Sequence, residues 1–162
     1  MRKYRWTIIL VNLAIVLFFF NRSIIQKEDL LANGKLILLE LAPIDPRSLM
    51  QGDYMLLRYK VSRGINGDSI PKKGFFVVKP DSAGVSQRVR IQNGTNPLND
   101  GETLVEYTVA NWRFVNVGAN SYFFEEGQAE KYSKAKYGGL KVDNKGNTLL
   151  IGLYDEKREM IK

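Results

Sequence analysis

The chain has 162 residues, 44% of them hydrophobic, which is enough for one domain with its own core and a short appendage. It contains no Cys and no His, which excludes disulfides, thiolate nucleophiles, Ser/His/Asp triads and metal sites built on Cys or His ligands. The formal charge is +7, but from Asn33 onward 19 Lys and Arg face 15 Asp and Glu, a surplus too diffuse for a nucleic-acid-binding surface. We therefore expect no metal site, no cofactor and no nucleic-acid partner.

The N-terminal segment predicts a membrane anchor. A basic head over residues 1–5, MRKYR, precedes an apolar run over residues 6–20. The end of this run, FFFNR, lacks the small residues of a cleavage site, which favours an uncleaved signal anchor over a cleavable signal peptide. The run is shorter than the roughly 20 residues that usually cross a bilayer, and Tyr4 and Arg5 on one side with Arg22, Ile24 and Ile25 on the other can supply the difference.

The distribution of charge around this segment predicts its orientation. The positive-inside rule places the basic head in the cytoplasm and everything after about residue 25 outside it. In a bacterium this is the inner (cytoplasmic) membrane, crossed once. We therefore predict a cytoplasmic head and transmembrane signal anchor over residues 1–28, contact with the lipid bilayer through residues 6–25, and an extracytoplasmic domain over residues 33–162. A buried core helix is the alternative that the basic, aromatic-flanked pattern disfavours.

After the anchor the hydrophobic pattern changes from helical to strand-like. The runs GKLILLELAP and YMLLRYKVS predict two strands joined by a bent, proline-containing loop, and GFFVVKP, SQRVRIQ, TLVEYTVANWRFVNV and SYFFEEG continue the pattern. One helix of about two or three turns is predicted from Gln128 to Ala135, and a closing hairpin turns at DNKGN. The predicted fold is mainly β, barrel-like or a folded sheet with one short α-helix, preceded by a transmembrane helix.

The loop between the first two predicted strands, PIDPRSLMQGD, has distinctive turn chemistry. Asp45 before Pro46 favours a rigid Asx-type turn, while Gly52 permits a close backbone approach and Asp53 can cap the turn that follows. In one interpretation Arg47 pairs with Asp45 or Asp53 and the loop is a structural corner. In the other, Arg47 is exposed and binds a carboxylate, a lipid phosphate or a partner backbone.

The residues after this loop differ in the face that they occupy. Strand spacing places Tyr54 on the opposite face from Leu57 and Tyr59. We therefore predict that Leu57 and Tyr59 belong to the core and that Tyr54 faces away from it.

Residues 52–59, GDYMLLRY, match the pattern Gly-Asp-Tyr-x-x-Leu-x-Tyr letter for letter. In this motif the chain resembles the GDYXXLXY family of bacterial membrane-anchored proteins. The flanking DPRSLMQ, the N-terminal span and the late segment YFFEEGQAEKYSKAKYGGLKV are also similar to the family. The resemblance makes the loop and motif the candidate binding residues: Asp45, Pro46, Arg47, Gly52, Asp53, Tyr54, Leu57 and Tyr59.

The family resemblance also implies a kind of partner. Polytopic membrane proteins are often encoded beside members of the family, and the family has no assigned activity. The resemblance therefore implies a non-catalytic accessory or interaction subunit of an envelope membrane-protein complex.

The chain also has a weaker likeness to type I signal peptidases. These enzymes have an N-terminal span and a mainly β fold, and they use a Ser-Lys dyad for catalysis. DPRSLMQGDYMLL resembles their Pro and Gly-Asp segment, but residues 43–44, Pro-Ile, occupy the region of their nucleophilic serine. Residues 86–87, Ser-Gln, stand where their lysine would be. Ser48 with Lys60 is the pair that remains, and it defines the alternative function, a membrane-bound Ser-Lys peptidase.

Overall fold

The computed structural model describes residues 4–42, 54–111 and 114–162. Over these residues the chain begins with a long helix and continues as nine strands, one short helix and two turns of 3-10 helix at Lys60–Ser62 and Gly67–Ser69. The helices and strands in chain order are α1 (Arg5–Asn33), β1 (Lys35–Glu40), β2 (Tyr54–Leu56), β3 (Lys73–Pro80), β4 (Ser86–Gln92), β5 (Thr103–Asn111), β6 (Phe114–Val117), β7 (Ser121–Phe123), α2 (Ala129–Tyr132), β8 (Tyr137–Val142) and β9 (Thr148–Tyr154).

The helix α1 is long enough and apolar enough to cross a membrane, and no residue of its most apolar stretch is buried against the rest of the chain. At about 1.5 Å per residue it extends for about 43 Å, which exceeds the roughly 30 Å of a bilayer's hydrocarbon core. The structure agrees with the predicted anchor helix and extends it beyond residue 25 to Asn33. The helix is therefore longer than a crossing of the hydrocarbon core requires, and its last turns are not needed for that crossing.

Gly34 ends α1 and joins it directly to the β-domain. Its N–H donates to the Leu30 carbonyl at 3.0 Å, and its own carbonyl accepts from Lys141 Nζ at 2.8 Å. Leu30 is buried where the helix meets the β-domain. A Cβ at Gly34 would lie 2.4 Å from the Leu30 carbonyl oxygen, so this close junction requires glycine.

The strands of the described residues form three antiparallel sheets, in the orders β1-β8-β9, β2-β7 and β4-β3-β5-β6. In the largest sheet Phe76 pairs with Ile91 on one side and with Val105 on the other. The sheets share one hydrophobic core, whose buried residues include Leu39, Leu57, Phe76, Tyr107, Leu140 and Leu153. The prediction of a mainly β fold with one short helix after an apolar N-terminal helix is confirmed.

The run TLVEYTVANWRFVNV, predicted as one strand-like segment, forms two strands. β5 and β6 are antiparallel neighbours, with Asn111 opposite Phe114. The run contains no Gly and no Pro, and Asn111 alone is a weak turn signal, so the composition of the run does not clearly mark the reversal. As a result β6 lies at one edge of the four-stranded sheet.

The strand predicted over YMLLRYKVS ends at Leu56, although Leu57 continues the register of β2 with β7. The Leu57 N–H donates to the Asn120 carbonyl at 2.8 Å, and Asn120 directly precedes β7. The Ser62 hydroxyl then donates to the Tyr59 carbonyl at 2.8 Å and closes a turn of 3-10 helix. Such side-chain bonds to the backbone compete with a strand ladder.

The short helix α2 has four residues, fewer than the predicted Gln128 to Ala135. The Ser133 hydroxyl donates to the Glu130 carbonyl at 2.6 Å, a bond that competes with continuation of the helix. Tyr132 packs against Tyr122 and Phe124, with ring centroids 5.2 and 5.1 Å away. This packing fixes the point from which the chain turns into β8.

The predicted closing hairpin is confirmed by the pairing of β8 with β9. One Asp143 carboxylate oxygen accepts from the N–H groups of Lys145 and Asn147, both at 2.9 Å. Gly146 in this turn has a φ of +86°, which glycine adopts without strain.

Candidate groove beside the motif

The structure places only part of the predicted site. The structure describes the motif from Tyr54 onward, which includes the candidates Tyr54, Leu57 and Tyr59. The other candidates lie outside the described residues: Asp45, Pro46, Arg47, Gly52 and Asp53.

The described part of the motif, residues 54–59, alternates between the core and the surface. Met55, Leu57 and Tyr59 are 3%, 5% and 2% exposed, whereas Leu56 and Arg58 between them are exposed. The prediction that Leu57 and Tyr59 belong to the core is confirmed. Tyr54 is half-buried, and its ring packs against Phe123 on the paired strand β7, with centroids 5.6 Å apart.

Tyr59, the last residue of the motif, is wedged against β8. A Cβ on Gly138 would lie 2.8 Å from the Tyr59 ring, so the ring occupies space that a side chain at Gly138 would fill. The Tyr59 hydroxyl is buried and has no hydrogen-bond partner among the described residues. Burial raises the pKa of Tyr59, which therefore remains a neutral phenol.

The two chain segments that flank residues 43–53 pair with each other. Leu41 and Tyr59 form an antiparallel bridge, and the Ala42 N–H donates to the Arg58 carbonyl at 2.7 Å. The Leu41 N–H also donates to the Lys136 carbonyl at 2.8 Å. The motif's final residues therefore tie the base of this loop to the β-domain.

A groove of about 410 Å³ lies on the exposed side of the motif. One wall is the segment Leu56–Tyr59, and the facing wall is Phe114–Val117, which is β6. The turn from Ser62 to Ile65 contributes to the lining, as does Ala42. The groove thus combines the last four residues of the motif with the edge strand of the four-stranded sheet.

Two guanidinium groups belong to this groove, those of Arg58 and Arg63. The Arg58 guanidinium carbon lies 4.1 Å from the centre of the Phe114 ring, a cation–π geometry that connects the two walls. A guanidinium can bind a carboxylate by donating two parallel hydrogen bonds to its oxygens. The groove therefore offers apolar surface, the outer side of an edge strand and positive charge together.

Sequence reasoning predicted Arg47 as the contact residue and missed Arg58, Arg63 and Phe114. Arg58 had a detectable signal, because it is a charged residue between two core positions of a strand-like motif. Arg63 and Phe114 had none, since they come from separate segments that only the fold brings together.

Lys60 does not have the environment that a Ser-Lys mechanism needs. Its Nζ lies 2.9 Å from Glu40 Oε2, and its side chain is 52% exposed. A catalytic lysine of this type is desolvated and neutral, whereas Lys60 is solvated and paired with a carboxylate. Ser48, its proposed partner, lies outside the described residues.

Comparison with known proteins agrees with the features of the motif. The model of the family described as GDYXXLXY protein matches residues 16–153, which include most of α1, the strands β1 to β8 and all but the last residue of β9. A search of curated proteins and a search of solved structures each find no match. Since the family model covers far more than half of the sequence and includes the motif at residues 52–59, the chain belongs to the GDYXXLXY family.

Proposed function

We propose that this protein is a non-catalytic interaction subunit of an envelope membrane-protein complex. In this proposal residues 1–28 form a cytoplasmic head and anchor in the inner membrane, and residues 33–162 form an extracytoplasmic domain. The observation that carries the proposal is the groove, because the family's own motif builds one of its walls. Buried Leu57 and Tyr59 hold that wall in place while Arg58 is presented to the groove.

The groove is suited to an extended segment of a partner protein. β6 pairs with β5 and is the last strand in the order of this sheet. An extended segment can add to such an edge through backbone hydrogen bonds. Arg58 and Arg63 favour a segment that carries Asp or Glu, so we infer an acidic extracytoplasmic loop of a polytopic membrane protein as the occupant.

Reversal of the charge at Arg58 tests the proposal. We expect Arg58→Glu to reduce recovery of the polytopic partner with the full chain from solubilised membranes by about tenfold or more, because an acidic side chain would repel the acidic segment. The matched control is Lys157→Glu, which makes the same change of charge at an exposed residue that does not line the groove. Equal recovery with both variants would contradict the groove as the contact.

The variant Arg47→Ala tests whether the loop contacts the partner in addition to the groove. If the loop also contacts the partner, this variant loses partner recovery while its thermal unfolding is unchanged. Unchanged recovery would leave the groove as the contact and assign the loop a structural role.

A further inference from the structure

A second cavity, of about 520 Å³, lies where α1 meets the turn between β8 and β9. Eight of its nine described lining residues are polar or charged. Lys27 comes from the helix, and Lys145 comes from the turn. This cavity, which we call the junction crevice, is separate from the groove beside the motif and shares none of its described lining residues.

The junction crevice has a defined depth relative to the bilayer, on the proposed topology in which α1 crosses the membrane. About 20 helical residues span the hydrocarbon core, so a span that begins at Trp6 ends near Ile25. The helix wall of the crevice includes Ser23 and Lys27. These residues bracket that boundary, and the crevice therefore opens at the level of the lipid headgroups.

The acidic and basic side chains of the crevice differ in their hydrogen bonding. Asp143 accepts two backbone N–H bonds and a bond from Asn147 Nδ2 at 2.7 Å, and Asp29 accepts from Asn33 Nδ2 at 2.7 Å. Lys27 and Lys145 are exposed, and their ammonium groups form no hydrogen bond or ion pair with any described residue. Both carboxylates thus accept hydrogen bonds from the protein, while the ammonium groups have no partner among the described residues.

This balance of charge selects the kind of anion that fits. Two lysines favour a phosphate, whereas the nearby Asp29 and Asp143 carboxylates disfavour a doubly charged one. A phosphodiester carries a single negative charge. The crevice is therefore better suited to the phosphodiester of a phospholipid than to free inorganic phosphate.

The walls of the crevice are fixed before any ligand binds. Leu30 is 5% exposed, and the bond from Lys141 Nζ to the Gly34 carbonyl ties the end of α1 to β8. We propose that the junction crevice binds the phosphodiester headgroup of a membrane phospholipid, with Lys27 and Lys145 donating to its phosphate oxygens. A lipid held there orients the β-domain against the outer surface of the bilayer.

Native mass spectrometry of the full chain, delipidated and titrated with phosphatidylglycerol, tests this proposal. We expect Lys27→Gln with Lys145→Gln to lower the affinity for the lipid by about tenfold or more, the scale for two lysines at a membrane surface. The control is Lys134→Gln with Lys157→Gln, which removes the same charge at exposed residues outside the crevice and should leave the affinity unchanged. Circular dichroism establishes that both double variants are folded.

Two results would overturn the proposal: equal lipid affinity in both double variants, or displacement of the lipid by equimolar inorganic phosphate. The outcome is independent of the groove, because recovery of the polytopic partner is scored separately through Arg58→Glu. Retention of the full chain in membranes at alkaline pH is the separate check on the span itself.

Discussion

Tyr59 illustrates how a single motif residue stabilises the fold through shape and not through a hydrogen bond. Its ring fills the space above Gly138, and its hydroxyl is buried without a partner among the described residues. A buried hydroxyl that loses its hydrogen bond to water is unfavourable, whereas the ring contributes apolar burial. The ring therefore accounts for the stabilising role of this residue, and the hydroxyl does not.

We predict that Tyr59→Phe leaves the free energy of unfolding unchanged or raises it by about 1 kcal/mol, because it removes an unsatisfied polar group and keeps the ring. Tyr59→Ala is expected to lower it by about 3–5 kcal/mol through the loss of the ring and the cavity that remains. Denaturant unfolding of the full chain in detergent measures both. A clear loss of stability in Tyr59→Phe would mean that the hydroxyl is bonded after all.

A second residue-scale feature is the ion pair that connects β4 to the start of β5. Glu102 accepts from Arg90 Nη1 at 2.5 Å, from Arg90 Nη2 at 2.8 Å and from the Asn99 N–H at 2.8 Å. The hydrogen bonds from Arg90, followed by those from Asn99, lower the pKa of Glu102 from 4.5 to about 2. The folded state therefore favours the ionised carboxylate.

Since the pKa of Glu102 is lower in the folded than in the unfolded state, its contribution to stability is present above about pH 4.5 and is lost as the pH falls toward 2. We predict that Glu102→Gln lowers the melting temperature at pH 7 and reduces the dependence of that temperature on pH between about 5 and 2. Thermal unfolding across this range checks the prediction. If the variant and the wild type show parallel pH profiles, the low pKa of Glu102 is contradicted.

At the scale of elements, the strands that bear clear alternation or a turn signal could be predicted from the sequence. β3, β4 and the β8-β9 hairpin belong to this class, because Gly, Pro and Asn residues mark their ends. The reversal between β5 and β6 could not be predicted, since the apolar pattern continues on both sides of it. After β2 the chain enters the 3-10 turn at Lys60–Ser62, which the Ser62 hydroxyl closes by donating to the Tyr59 carbonyl, and no Gly or Pro within YMLLRYKVS marks this point.

Only part of the candidate site could be predicted, because the other part depends on contacts between segments that are distant in the sequence. The motif identifies Leu57 and Tyr59 as core, because that follows from the two-residue period of a strand. The facing wall of the groove comes from β6, whose position at the sheet edge depends on the unpredicted reversal. A groove between two elements can therefore be identified only from the tertiary structure, whereas one wall of it can be predicted from the local sequence.

At the scale of the whole molecule, α1 and the β-domain are joined without a linker. Leu30 and Gly34 connect the end of the helix to the sheet β1-β8-β9. The groove and the junction crevice are therefore held at fixed positions relative to the span. In the proposed topology the groove is therefore presented at a set height and direction from the bilayer.

The absence of Cys makes the topology directly testable. We predict that a membrane-impermeant maleimide labels Lys157→Cys in spheroplasts, because the β-domain lies outside the cytoplasm in our proposal. Lys3→Cys should react only after the membrane is disrupted. Labelling of Lys3→Cys in intact spheroplasts, with protection of Lys157→Cys, would reverse the proposed orientation.

The central claim, that the groove beside the motif binds a membrane-protein partner, is tested most directly by photo-cross-linking in the protein's own membrane. A benzophenone amino acid replaces Asn116 in the groove or, as a control, the exposed Gln87 on β4. We predict a discrete adduct with one polytopic membrane protein from position 116 only, lost with Arg58→Glu and retained with Lys157→Glu. Adducts of equal yield from both positions, or an adduct at 116 that Arg58→Glu leaves unchanged, would contradict the claim.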